Sequence, residues 1–196
     1  MRPGFRTLFL LLWLGACGGG SPPEFKGSDI TGADFGKRLA LTDHNGRDVT
    51  LETFRGKLLV LFFGYTHCPD VCPTTLHDMA QALKLAGPEL EGKVQVLFVT
   101  VDPERDTPET LKAYVPYFHP AFLGLHGTPE RVASVASEFR VVYRKHVTPG
   151  ASGYLVDHSA GSYVLDASGK LRLYLPYAHS PADIAHDLRA LATTPS

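Results

Sequence analysis

The chain has 196 residues, 44% of them hydrophobic, and a formal net charge of −1. That length supports one sizeable domain, which buries roughly 70% of the surface exposed by its unfolded chain. Its 19 lysines and arginines are scattered and form no run, which excludes the electrostatic footprint of a nucleic-acid binder.

The first residues carry an address. Arg2 and Arg6 precede an apolar run from Leu8 to Leu14, and Leu14-Gly15-Ala16 leads to Cys17. The run is shorter than the about 20 residues that cross a bilayer, and it reads as a cleavable export signal. Its Leu-Gly-Ala-Cys ending looks like a bacterial lipobox, in which Cys17 becomes the acylated first residue. Gly18-Gly19-Gly20-Ser21-Pro22-Pro23 then has the composition of a tether. The expected organisation is a lipoprotein signal over 1–17, a tether over 18–29 and one domain over 30–193, held by lipid to the periplasmic or extracytoplasmic side of the membrane.

Within the domain, Arg38 to Leu41 and Asp48 to Leu51 flank Asp43-His44-Asn45-Gly46, an Asn-Gly turn that predicts an N-terminal β-hairpin. Leu58 to Phe63 and Val94 to Val101 are continuous apolar runs, as expected of strands buried on both faces. Between them Leu76, Met79, Ala80 and Leu83 recur at helical spacing up to Gly87-Pro88, which predicts a strand, helix, parallel-strand unit. Thr107 to Phe118 and Thr128 to Phe139 read as helices, with short strands near Ala121 to Leu125 and Val141 to Arg144. Gly161 to Leu165 and Leu171 to Leu175 read as strands joined by the turn Asp166-Ala167-Ser168-Gly169. Ser180 to Leu191 closes the chain as a helix. The sum is an α/β domain with a central mixed sheet flanked by helices.

Thr107-Pro108, Thr128-Pro129 and Ser180-Pro181 each place a capping hydroxyl before proline at the first helical position. Cys72-Pro73 fits that template with sulfur in place of the hydroxyl. Regular helix is therefore expected to begin at Pro73, leaving Cys68 in a loop. Unpaired amides at the helix start favour a thiolate at Cys72, while the charge of Asp70 opposes it, so sequence does not sign the net effect.

With Cys17 acylated, Cys68 and Cys72 are the only thiols of the domain. Residues four apart in an ideal helix hold their Cβ atoms about 5–6 Å apart, too far for a disulfide, and a loop running into a helix start removes that obstacle. The pair can then close a disulfide or chelate one soft ion such as Cu(I) or Zn(II). A purely structural disulfide would enclose three residues and constrain the unfolded chain little.

Phe62-Phe63-Gly64-Tyr65-Thr66-His67-Cys68-Pro69-Asp70-Val71-Cys72-Pro73 resembles the first signature of the Sco/SenC family of cytochrome c oxidase copper-centre assembly proteins. Val101-Asp102-Pro103-Glu104-Arg105-Asp106-Thr107-Pro108 looks like its second, and Tyr154-Leu155-Val156-Asp157-His158-Ser159 like its third. The resemblance spans Ile30 to Leu191 and implies a thioredoxin-like fold with a copper ion held by Cys68, Cys72 and His158. Without it, none of the nine histidines stands out. His67 and His146 are reserves for the third ligand; His44, His119, His126, His179 and His186 are assigned to the surface. Asp102, at the end of a strand, either orients a ligand or caps a turn, and Asp157 is a weaker candidate for the first of those roles.

Two functions share these sulfurs. One is a copper chaperone for the dinuclear copper centre of cytochrome c oxidase, with the oxidase's copper-binding subunit and a copper donor or thiol reductant as partners. The other is a thiol:disulfide oxidoreductase that keeps that subunit's cysteines reduced. His158, which thiol exchange does not require, and the three-residue spacing favour the carrier. Carriage by methionine is excluded, since Met1 and Met79 are the only two.

Lipid attachment works by burying about 0.8 kcal/mol per methylene. Cys17→Ser is expected to move the protein from the membrane pellet to the soluble fraction. Retention of the variant in salt-washed membranes would contradict acylation at Cys17.

Overall fold

Two apolar runs in which every residue is buried, Leu58–Gly64 and Val94–Thr100, form the middle of the sheet. They are the parts of the chain with enough uninterrupted apolar length to be covered on both faces. The structure, a computed structural model, describes residues 24–147 and 153–194. The segment read as an export signal, Cys17 and the Gly/Pro stretch after it lie outside the described residues.

In chain order the elements are β1 (Ser28–Asp29), β2 (Ala40–Asp43), β3 (Asp48–Thr50), β4 (Leu58–Gly64), α1 (Val71–Ala86), β5 (Val94–Thr100), α2 (Pro108–Phe118), β6 (Leu123–His126), α3 (Pro129–Glu138), β7 (Tyr143–Val147), β8 (Tyr154–His158), β9 (Ser162–Leu165), β10 (Leu171–Leu175) and α4 (Pro181–Thr193). Eight strands form one sheet in the order β1-β10-β9-β4-β5-β6-β2-β3, and β7 pairs with β8 in a separate hairpin. β4, β5 and β6 are parallel, and the pairings flanking them are antiparallel. This mixed sheet with helices against it is the thioredoxin-like architecture expected, and β2–β3 is the expected N-terminal hairpin.

Adjacent side chains of β4 serve opposite layers, as strand geometry requires. Phe62 packs on Phe98, which in turn meets Tyr114 of α2, while Phe63 packs on Phe139 at the end of α3. All three proline-led helices start where their hydroxyls predict. Thr107 accepts from the Thr110 amide at 3.2 Å, Thr128 from Arg131 at 3.3 Å and Ser180 from Asp183 at 3.1 Å.

Several expectations change. α1 begins at Val71, two residues before Pro73, with Asp70 at the cap position and the Thr74 amide bonded to the Asp70 carbonyl at 3.2 Å. The first helical amides lack intrahelical partners in any case, so proline is tolerated there. The carbonyl that Pro73 would strike belongs to Pro69, outside the helix. Cys72 thus lies inside the first turn and does not cap it.

Residues 26–29, grouped with the tether by composition, are fastened to the body. The Lys26 and Gly27 amides donate to buried Asp187 of α4 at 2.8 and 2.7 Å, and β1 pairs with β10. His44 is buried and not at the surface: its Nδ1 accepts from the Gly124 amide at 3.1 Å, and burial pushes its pKa down. His179 is also largely covered, with its side chain 11% exposed beside Asp187.

Candidate metal centre

The parallel strands β4 and β5 end side by side at Gly64 and Thr100, at the carboxyl edge where open sheets place functional groups. The chain leaves β4 through Tyr65, Thr66 and His67, reaches Cys68 in a loop, and enters α1 with Cys72 in its first turn. The hairpin β7–β8 ends at His158, and a short link carries the chain into β9, which opens opposite Phe62 of β4. A residue 86 positions from Cys72 is thereby returned to it: His158 Nε2 lies 3.4 Å from Cys72 Sγ.

Cys68, Cys72 and His158 bring one donor atom each to within 4.8 Å of one another, the only such His/Cys/Asp/Glu group among the described residues. Both cysteines are free thiols, Cys68 half-buried and Cys72 fully buried. His158 is set edge-on to the rings of Phe62 and Tyr65. Its Nδ1 donates to the Ser159 carbonyl at 3.0 Å, so in the neutral ring Nε2 keeps its lone pair toward the sulfurs.

One proton is contested here. The Cys72 thiol as donor, then the Asp70 and Cys72 amides, hold Cys68 down to about 4, against the upward pull of burial. The same sulfur–sulfur hydrogen bond, together with burial, pushes the Cys72 thiol far up. The helix start therefore acts on the sulfur outside it: the Cys72 amide points to Cys68 Sγ at 3.5 Å. The sequence pattern assigns that effect to Cys72, the sulfur inside the helix, and the structure directs it to Cys68.

Two supporting residues were missed. Gly64 leaves the space that Cys72 occupies, because a Cβ there would lie 2.6 Å from Cys72 Sγ and 2.9 Å from Phe98. Its one legible signal was a glycine closing a buried strand, which marks close approach. Asp106 is 1% exposed and accepts from the Thr66 amide and hydroxyl and from the Thr100 hydroxyl; burial pushes its carboxyl up against the pull of those donors.

The remaining candidates separate. Asp102 is fully buried and touches none of the three donors; it accepts from the Tyr154 hydroxyl at 2.7 Å and from Arg105. Its carbonyl also accepts the Arg105 and Asp106 amides, so it closes a turn as well as reaching the hairpin of His158. Asp157 is exposed, one residue from His158 and therefore on the other face of β8. His146 is exposed opposite Leu155, on that same outer face. His67, 54% exposed, turns its Nδ1 to the Thr66 hydroxyl at 3.1 Å. Neither reserve histidine joins the group.

Residues 27–193 match the family model SCO1/SenC. The SCO2-like protein of Rickettsia conorii is 37% identical over 161 residues, covering 81% of this chain and 75% of that protein. The structure of Bradyrhizobium japonicum ScoI with copper bound is 40% identical with a TM-score of 0.73, covering 80% of this chain and 99% of that one. The apo Sco1 protein of Thermus thermophilus is 41% identical with a TM-score of 0.71, over 88% and 97% of the two chains.

Overpacking a filled site costs about 1–3 kcal/mol. Gly64→Ala is expected to lose that much stability in denaturant unfolding and to expose Cys72, protected in the native protein, to alkylation. Unchanged stability with unchanged protection would show that the sulfur has room to spare.

Proposed function

The chain belongs to the SCO1/SenC family, and from that premise we propose that it is a copper chaperone for assembly of the dinuclear copper centre of cytochrome c oxidase. The observation that carries this reading is the convergence of Cys68, Cys72 and His158 within 4.8 Å. Two thiolates and an imidazole form a donor set suited to copper, and hard cations prefer oxygen. Copper is cargo here. Taking it up expels the proton that Cys72 holds, so apparent affinity rises with pH. Half-buried Cys68 is the sulfur a partner reaches first, whether that partner is a copper donor or the oxidase's copper-binding subunit. Acylation at Cys17 would keep the domain at the membrane face where that subunit is assembled.

A second reading rests on the unequal thiols. Cys68 is held as thiolate beside a protonated Cys72, the arrangement of a dithiol reductant. The Cys68 sulfur would attack one sulfur of a partner disulfide, forming a mixed disulfide and releasing the other as thiolate. Cys72 would then attack Cys68, close the Cys68–Cys72 disulfide and release the second partner thiol. Its own proton goes to a departing sulfur, water supplies the other, and a thiol reductant must restore the pair. This keeps the oxidase subunit's cysteines ready for metal.

His158→Ala separates the two. It removes one of three donors but neither sulfur, so copper retention against a competing chelator is expected to fall steeply while reduction of an oxidised oxidase-subunit fragment persists. Cys68→Ser is expected to abolish both. Copper retention equal to wild type in the His158 variant would contradict the three-donor site. A wild type that reduces its partner but never retains copper would replace the carrier with the enzyme.

A further inference from the structure

The turn from β5 to α2 gives no donor atom to the sulfur–imidazole group, yet both segments that do are fastened to it. On one side, Asp106 accepts from the Thr66 amide at 3.1 Å and the Thr66 hydroxyl at 2.6 Å, two residues before Cys68. On the other, Asp102 accepts from the Tyr154 hydroxyl at 2.7 Å. Arg105 adds a bond from Nη1 to the Tyr154 carbonyl at 3.0 Å and lies over the Tyr154 ring at 3.7 Å. Glu104 pairs with Lys145 of β7 at 2.6 Å. The two residues are joined through Thr100, whose hydroxyl donates to the Asp106 carboxylate at 2.6 Å and accepts the Asp102 backbone amide at 2.9 Å.

The hairpin needs such fastening. β7 and β8 pair with each other and with no strand of the main sheet, and of their ten residues Val156 alone is buried. An element with so little buried apolar surface is held by its polar contacts to the body. On the opposite side the loop before Cys68 has its own tie, the Thr66 amide on Asp106.

We propose that Asp102 and Tyr154 are positioning residues for His158 and that Asp106 is one for Cys68. The turn Thr100 to Asp106 sets the two halves of the metal site separately from one buried network. Loosening the Asp102 side withdraws the imidazole and leaves the dithiol intact; loosening the Asp106 side disturbs the sulfurs themselves. The proposal rests on the copper reading for its affinity readout only.

The test uses the full-length chain with Tyr154→Phe, Asp102→Asn and Asp106→Asn, each checked for a wild-type fold by circular dichroism. Changing a residue that orients a metal ligand costs about 10–100-fold in affinity. Tyr154→Phe, which keeps the ring over Arg105, is expected to weaken Cu(I) retention against a chromophoric chelator by that factor, with the rate of reducing a peptide disulfide unchanged. In the metal-free protein the same variant is expected to shift the ¹⁵N resonances of the His158 ring, whose Nε2 sits beside Cys72. Asp102→Asn is expected to follow it, and Asp106→Asn to alter copper retention and disulfide reduction together. Wild-type affinity and an unshifted ring in Tyr154→Phe, or equal loss of disulfide reduction, would overturn the proposal. Should wild type retain no Cu(I), the copper reading fails, and the ring resonances of the metal-free protein still decide the positioning roles.

Discussion

The site depends on the burial of one thiol. Cys72 reaches full burial because Gly64 has no side chain, and there it meets both Cys68 and His158. Burial and the sulfur–sulfur hydrogen bond push the Cys72 thiol up, and the same bond pulls the Cys68 thiol down. Cys68 is only half-buried, and His158 offers a lone pair to the same small volume. A β-carbon at position 64 would push the sulfur out of this arrangement, and the division of labour between the two cysteines would go with it.

The fold supplies the rest by topology. Parallel β4 and β5 end together, so whatever leaves them is held at one edge, and β9 beside β4 returns the chain that carries His158. Buried carboxylates close the gaps between these segments. Asp106 faces the loop of the sulfurs and Asp102 the hairpin of the imidazole, each accepting a hydrogen bond on both oxygens, as burial of a carboxylate demands. Rigid strands thus carry the ends, and hydrogen-bonded side chains set the last few ångströms.

Much of this was legible in the sequence, because local patterns record local physics. The continuous apolar runs gave β4 and β5, the Asn45-Gly46 turn gave β2–β3, and hydroxyl-proline pairs gave the starts of α2, α3 and α4. The start of α1 was read two residues late, since proline inside a first turn breaks nothing. β8 went unread because Tyr154–His158 buries only Val156, which leaves no alternating apolar signal. Asp106, and Gly64 beyond the bare signal of a strand-closing glycine, went unread for another reason. Their roles arise from what approaches them in three dimensions: a sulfur from the next helix, and hydroxyls from Thr66 and Thr100 converging on a carboxylate in what reads as a solvated turn. His158 was selected only by family resemblance, and the geometry then placed it against Cys72.

A carrier and a reductant ask different things of the same two sulfurs. Carriage needs both open and a third donor close by; exchange needs one exposed thiolate and a second thiol able to follow. The geometry suits both, and in our proposal the imidazole is the feature that favours carriage. The most direct test is X-ray absorption at the copper edge on the fully reduced chain loaded with one equivalent of Cu(I). The account predicts scattering from two sulfurs and one imidazole nitrogen. Two sulfurs with no imidazole contribution, or copper bound without sulfur, would contradict it.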